Sequence, residues 1–168
     1  GGISQLVKAR NVNVLCGKAS FISNGEVIVE TSEKKEKIQF KNCIIASGST
    51  AAMLPNLPLD HPLVLTSKTA LDLDDVPGSL LIIGGGIIGL ELGQVYSTLG
   101  TDVSVVEYMP SLIPGADDDI AKPLIRKLKK HFKSIMLSSK VTNVDVGFEE
   151  GVRVSIESNN EIKDQVYD

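Results

Sequence analysis

Residues 80–93, LLIIGGGIIGLELG, limit the fold more than any other part of the chain. An apolar run is cut by three consecutive glycines, resumes, and meets two further glycines at helical spacing. Gly84, Gly86 and Gly89 satisfy G-x-G-x-x-G. With 15 glycines in 168 residues, chance alone yields about 0.1 such triplets, so the weight lies in the surroundings. Residues 80–83 are apolar throughout, as a parallel strand covered on both faces requires. Residues 87–99 read as a helix, with Gly100 just past the end where a left-handed cap is wanted. DVSVVE is the next strand, and parallel neighbours joined by one helix form a right-handed βαβ unit. The predicted class is α/β, with a Rossmann-like βαβ unit.

Each glycine then has a physical task. Gly84 turns the chain sharply off the strand. Gly86 lacks a Cβ where a pyrophosphate must approach the backbone. Gly89, with Gly93 one helical turn later, lets helix and sheet pack closely. Gly85, Ile87 and Ile88 complete the same cradle, whose helix N-terminus offers unpaired N–H groups and a positive dipole end. Glu107 ends the second strand, where a carboxylate can accept hydrogen bonds from adenosine ribose hydroxyls. A 2′-phosphate there would meet like charge, and no arginine lies between Arg10 and Arg126. The expected ligand is NAD rather than NADP. Glu91 lies about 200° round the helix from the packing face and is expected to point outward, toward the nicotinamide end.

The flanking segments read less regularly. Ile3 to Val7 looks like the tail of a helix, and the absence of an initiator Met suggests a fragment. VNVLCG and KASFIS read as strands, Asn24-Gly25 as a type I′ hairpin turn, and EVIVE as the returning strand. TSEKKEK is expected as a solvent-facing loop before IQF, and KNCIIASGS as a buried strand running into a turn. Prolines forbid regular structure in the next stretch, until Thr66 or Ser67 caps a short helix through Leu71. Pro77-Gly78 reads as the boundary between domains 1–78 and 79–168. Beyond the βαβ unit, a helix begins with Asp117, Asp118 and Asp119 and ends in bases, which suits its dipole. Ile120, Leu124 and Leu128 are its expected buried face. Pro123 fits that helix only if it starts near residue 122. KVTNVDVG and GVRVSIE read as antiparallel strands of a meander, with a further strand approached at the end.

Composition excludes several classes. A net charge of −4 with 23% charged residues suggests neither disorder nor nucleic-acid binding. Lys127, Lys129, Lys130 and Lys133 read as a solvated helix face. No apolar run reaches the roughly 18 residues of a membrane span. Cys16 and Cys43 match neither a metal nor a redox spacing and read as inert thiols in a reducing compartment. No metal site is expected.

The motifs GKASF, FKNCIIASGS, LPLDHPLVLTSKTALDL, VPGSLLIIGGGIIGLELGQVY, LGTDVSVVE and IPGADDDI together resemble the pyridine nucleotide–disulfide oxidoreductases, and within them the branch that oxidises dihydrolipoamide. The resemblance runs the whole length of the chain. It implies that residues 1–78 are the second part of an FAD-binding domain and 79–168 most of an NAD-binding domain. Gly17 then matches a glycine near FAD, and Ser47, Gly48 and Ser49 match the A-T-G-S turn against the flavin, with Ser47 in place of threonine. Ile87 stands where glutathione reductases carry a gating tyrosine. Glu91 matches the glutamate near the flavin–nicotinamide contact, and Val141 a position lining the adenine pocket.

The resemblance further implies a parent flavoprotein, a homodimer, passing electrons from dihydrolipoamide on the lipoyl domains of 2-oxoacid dehydrogenase complexes through a disulfide and FAD to NAD. The compartment would be cytoplasmic, or the mitochondrial matrix in a eukaryote. The family's C-x-x-x-x-C pair, first FAD fingerprint and catalytic His–Glu pair are not among these residues. The chain alone is therefore expected to be inactive, with no catalytic residue of its own. Neither His61 nor His131 is a plausible base. Two alternatives stay open: a stand-alone NAD-binding sensor, or another flavin disulfide reductase of the mercuric reductase or NADH oxidase type.

Overall fold

The computed structural model describes residues 1–168 apart from Met53, Asn56, Asp74 and Glu150, with Phe148 described by its backbone alone. The chain divides into two compact units, Gly1–Ser49 and Thr50–Asp168.

In the first unit a helix, α1 (Gly2–Ala9), precedes strands β1 (Lys18–Ser23), β2 (Glu26–Glu30) and β3 (Lys35–Gln39). The strands form one antiparallel sheet in chain order. Asn24 and Gly25 make the hairpin turn, but neither takes the positive φ that a type I′ turn needs. A register shift between Phe21 and Ser23 accommodates the difference. β3 starts at Lys35, inside the segment expected as loop. Glu30 faces Lys35 in the ladder, and their side chains pair at 2.5 Å. Lys37 reaches Glu26 at 2.8 Å. Thr31 Oγ1 closes the intervening turn by accepting the N–H groups of Glu33 and Lys34.

Two expected strands do not form. VNVLCG is exposed and has no ladder partner among the described residues. KNCIIASGS is also irregular, with Ile44 92% and Ile45 72% exposed. An all-apolar run becomes a buried strand only between neighbours that take its N–H and C=O groups. No described residue supplies them here.

The second unit is built around three parallel strands in the order β4 (Ser79–Ile83), β5 (Asp102–Val106), β6 (Ser134–Met136). Helix α2 (Ile87–Leu99) joins β4 to β5, and α3 (Asp118–His131) joins β5 to β6. Gly100 ends α2 at φ +108°, in the left-handed conformation that closes helices. Strands β7 (Ser139–Phe148), β8 (Gly151–Ser158) and β9 (Glu161–Tyr167) follow as an antiparallel sheet in chain order.

The period of β5 explains the layering. Val103 and Val105 belong to a core with Leu90, Tyr96 and Leu128 from the helices and Phe132 just past α3. Val106 faces the other way, into a core with Val152, Val154, Ile156 and Tyr167 of the antiparallel sheet. Successive strand residues point to opposite faces, so one buried strand serves both layers. β4 is less enclosed than its composition implies: its residues are half-buried and Ile83 is 38% exposed.

α3 starts at Asp118, which places Pro123 in its interior. Proline there removes the bond to the residue 119 carbonyl; Asp119 and Pro123 are both exposed, so water can take that acceptor. Ile120 is 69% exposed, against expectation. The buried stripe is Ala121 and Leu128, with Leu124 and Ile125 half-buried. Ile120 lies about 100° round the helix from the centre of that stripe.

The short helix before the sheet is a 3₁₀ turn, Thr69–Leu71. Of its two expected caps, Thr66 is the one engaged: its Oγ1 accepts the Thr69 N–H at 3.3 Å, and Thr69 Oγ1 accepts the Thr66 N–H at 2.8 Å. Tyr96, 2% exposed, docks this turn by donating its hydroxyl to the Ala70 carbonyl at 2.8 Å. Tyr96→Phe leaves that acceptor without its partner and should cost about 1–2 kcal/mol, a fall of roughly 2–8 °C in Tm by thermal unfolding. Burial raises the Tyr96 and Tyr167 hydroxyls above the ordinary tyrosine value of 10.0. The folded state therefore holds them neutral while the unfolded chain ionises them. Their contribution is intact below pH 10 and is lost as pH rises toward the folded values, which Tm measured from pH 8 to 11 will display.

Candidate functional site

β4 ends in the glycine loop, whose glycines do not all serve the same purpose. Gly84 continues the sheet by donating its N–H to the Val106 carbonyl at 2.8 Å. It then turns at φ +105°, a conformation open chiefly to glycine. A Cβ on Gly89 would stand 2.8 Å from Ile82 Cγ2 and 3.0 Å from the Gly84 carbonyl oxygen. One on Gly93 would stand 2.6 Å from Ile82 Cδ1. Both glycines set how closely α2 lies on β4.

Gly86 is different. It is the N-cap of α2, at φ −77° and ψ 172°, and a Cβ there would meet nothing within 4 Å. No steric contact among the described residues accounts for its lack of a side chain. The first helical bond is Leu90 N–H to the Gly86 carbonyl at 3.1 Å, so the N–H groups of Ile87, Ile88 and Gly89 precede the intrahelical ladder. Ile87 and Ile88 are 59% and 60% exposed. Glu91 is exposed on the same helix, in agreement with its expected outward direction.

Glu107 stands at the end of β5, 7% exposed, and its carboxylate is already engaged. Oε2 accepts the Gly85 N–H and Oε1 the Met109 N–H, each at 2.6 Å. A carboxylate has about four lone-pair positions, which leaves capacity for hydroxyl donors. The Glu107 carbonyl accepts the Ser139 N–H at 3.0 Å, so β7 departs directly from this point. Val141, two residues on, is half-buried in the core that includes Val106. A hollow of about 330 Å³ is lined by Tyr108, Ser138, Ser139, Lys140, Glu157, Asn159 and Asn160. Lys140 is the cation nearest in sequence to that corner, and its charge is paired with Glu157 at 3.1 Å.

Residues 84–89, Glu91, Glu107 and Val141 thus belong to one unit. Gly17, Ser47, Gly48 and Ser49 belong to the other. Gly17 is accounted for within its own unit, since a Cβ would lie 2.5 Å from the Glu30 carbonyl oxygen. Residues 47–49 are exposed, with Gly48 at φ +73°. The hollow bounded by Phe21, Phe40, Cys43 and Ile45 includes none of these four. Among the described residues no cluster of His, Cys, Asp or Glu is arranged to hold a metal, and no helix is long and apolar enough to cross a membrane.

The sequence reading missed Leu112 and Ile113. Leu112 is 1% exposed against Gly85, and Ile113 donates its N–H to the Gly85 carbonyl at 2.9 Å. The signal available was an apolar pair followed by Pro114-Gly115 in the loop after β5.

Comparison with known proteins bears on what such a site serves. A family model described as pyridine nucleotide-disulphide oxidoreductase matches residues 2–166. A dihydrolipoyl dehydrogenase of Vibrio parahaemolyticus is 44% identical over 157 residues, 94% of this chain and 33% of the relative. A mitochondrial dihydrolipoyl dehydrogenase of Arabidopsis thaliana is 39% identical over 93% of the chain and 31% of the relative. The chain spans about a third of the length of these curated relatives. Among solved structures, the HOCl-induced flavoprotein disulfide reductase RclA of Escherichia coli superposes with a TM-score of 0.73 at 27% identity, covering 96% of this chain and 36% of that one.

Proposed function

The chain belongs to the pyridine nucleotide-disulphide oxidoreductase family, and from that premise we propose that residues 79–168 form an NAD(H)-binding domain of Rossmann type with its antiparallel meander. Residues 1–78 are on the same proposal the second part of an FAD-binding domain. One observation carries the nucleotide reading: Gly86 has no Cβ although the protein itself would tolerate one. The open space lies at the N-terminus of a 13-residue helix. A pyrophosphate is the anion that needs both the bare backbone and the unpaired N–H groups. Glu107, tied to the same loop, would take the adenosine ribose hydroxyls, and Val141 would line the adenine side.

Within that site the chain's residues bind and orient. The Gly86 backbone and the first turn of α2 hold the pyrophosphate, and Glu107 fixes the ribose. Ile87, Ile88 and Glu91 face the nicotinamide end, and binding energy from the adenosine half holds that ring in place. NAD supplies hydride acceptance when bound. For FAD the described residues present no comparable cradle, since Gly17 is explained by its packing on β2 and residues 47–49 are exposed. A flavin role at Gly17, Ser47, Gly48 and Ser49 therefore rests on family membership.

For the whole protein, the proposal is oxidation of dihydrolipoamide through a disulfide and FAD. Identities of 36–44% to proteins named dihydrolipoyl dehydrogenase support that choice within the family. Lipoyl domains as partners, a homodimer, and a cytoplasmic or mitochondrial-matrix location belong to the same proposal. The direct test is calorimetric titration of NADH into the 168-residue chain. One-to-one binding is expected, and no heat at millimolar NADH would remove the nucleotide reading.

A further inference from the structure

The Gly85 peptide is held at both ends by groups from beyond β5. Its N–H is taken by Glu107 Oε2 at 2.6 Å, and its carbonyl by the Ile113 N–H at 2.9 Å. The space a Gly85 side chain would need is already occupied: a Cβ would run into Leu112 Cδ2 and lie 3.1 Å from Glu107 Oε2. Gly85 is thus a glycine because of the loop that covers it, whereas Gly86 beside it is open.

The covering loop is held in an unusual conformation. Ile113 sits at φ +52°, a region that β-branched residues rarely adopt. The turn behind it is closed by Ala116 N–H to the Ile113 carbonyl at 3.1 Å, with Gly115 at φ +99°. Met109 N–H on Glu107 Oε1 ties the start of the loop to the same carboxylate. Leu112 is buried in the core beside Leu90, a first-turn residue of α2. Loop, carboxylate and glycine turn therefore form one connected structure.

We propose that loop 108–116, acting through Leu112 and Ile113, is the positioning element of the nucleotide cradle: it clamps the Gly85 peptide so that the Gly86 backbone and the N–H groups that follow are fixed before ligand arrives. This rests on the nucleotide reading above and adds residues that would not touch the ligand. Neither Leu112, buried, nor the Ile113 N–H, already donated, has a group to offer it. A loop fixed in advance loses less conformational freedom when it binds, so the clamp should act on affinity.

The experiment separates the clamp from the ligand. Hydrogen exchange of the Gly85 amide, followed by NMR in the 168-residue chain without ligand, should show protection; exchange at the rate of an open loop overturns the clamp. NADH affinity is then measured for Gly85→Ala, Leu112→Ala and the double variant, each checked for cooperative melting. Gly85→Ala should weaken NADH by about tenfold or more, and adding Leu112→Ala should recover part of that loss, the part due to Leu112 and not to Glu107, a coupling of about 1.4 kcal/mol per tenfold. Leu112→Met, which refills the site, should recover what Leu112→Ala alone loses. If Gly85 faced the ligand instead, removing Leu112 would rescue nothing, and that result overturns the proposal. So does a loss of Gly85 protection in Leu112→Ala with NADH affinity unchanged. Absence of NADH binding by the unaltered chain, with Gly85 protected, would instead overturn the nucleotide reading and with it the purpose assigned to the clamp.

Discussion

Gly86→Val will abolish dinucleotide binding while the chain still melts in one cooperative step. The protein has no objection to a side chain at this position. The backbone lies in the extended region that valine favours, and a Cβ meets nothing within 4 Å. The helix start loses little, because Gly86 supplies no side-chain cap. Stability should fall by about 1 kcal/mol, because valine is a poorer N-cap than glycine. A pyrophosphate at the helix N-terminus would meet the new methyl groups directly. Affinity for NADH should fall by about a hundredfold or more, equivalent to about 2.7 kcal/mol. Calorimetry on the variant decides it, since unchanged affinity would mean that the phosphates lie elsewhere. The contrast with Gly89→Val is informative. There the side chain strikes Ile82 and the Gly84 carbonyl, and the fold should fail before the ligand is tested.

Glu107→Ala will destabilise the chain more than an ordinary exposed strand-end substitution. Two backbone N–H groups, on Gly85 and Met109, lose their acceptor, and such losses cost about 1–3 kcal/mol each when water cannot replace it. The sum of about 2–6 kcal/mol corresponds to a fall of roughly 4–24 °C in Tm. Glu107→Gln keeps one acceptor oxygen and should fall between. On the proposed nucleotide reading, the same residue should set cofactor choice. Two ribose hydroxyls donating to the carboxylate are charge-assisted, at about 1.5–3 kcal/mol each. A 2′-phosphate loses at least one of them and meets like charge. Lys140 offers little relief, because Glu157 already holds it. NADH should be preferred over NADPH by about a hundredfold or more. Glu107→Gln should narrow that ratio by removing the repulsion, and Met109→Arg should narrow it further. Titration of both nucleotides into each variant is the measurement. Equal affinities for the unaltered chain would end the ribose assignment, while a large fall in Tm with no change in preference would leave Glu107 a purely structural brace.

What the sequence determined by itself was local and periodic. The α2 boundaries, Gly100 as its cap, the strand before and the strand after follow from glycine conformational freedom and from apolar runs of fixed period. The hairpin of β1 and β2 was legible in the same way, as was the outward direction of Glu91. Those features depend on residues close together in the chain, where spacing and backbone preference are enough. Tertiary structure decided the rest. VNVLCG and KNCIIASGS carry strand composition yet form no strand, because pairing needs a neighbouring edge that no described residue provides. Ile120 is exposed, since the face that α3 buries is set by where the sheet lies and not by which residues are apolar. Pro123 lies inside α3 where it and Asp119, whose carbonyl loses its helical partner, are both exposed. Most of all, the bracing of Gly85 by Glu107, Leu112 and Ile113 could not be read from G-x-G-x-x-G. The motif records only that a side chain is absent. Whether the protein itself fills that space, as at Gly85, or leaves it open, as at Gly86, is settled by a loop more than 20 residues away in sequence, brought there by the parallel pairing of β4 with β5.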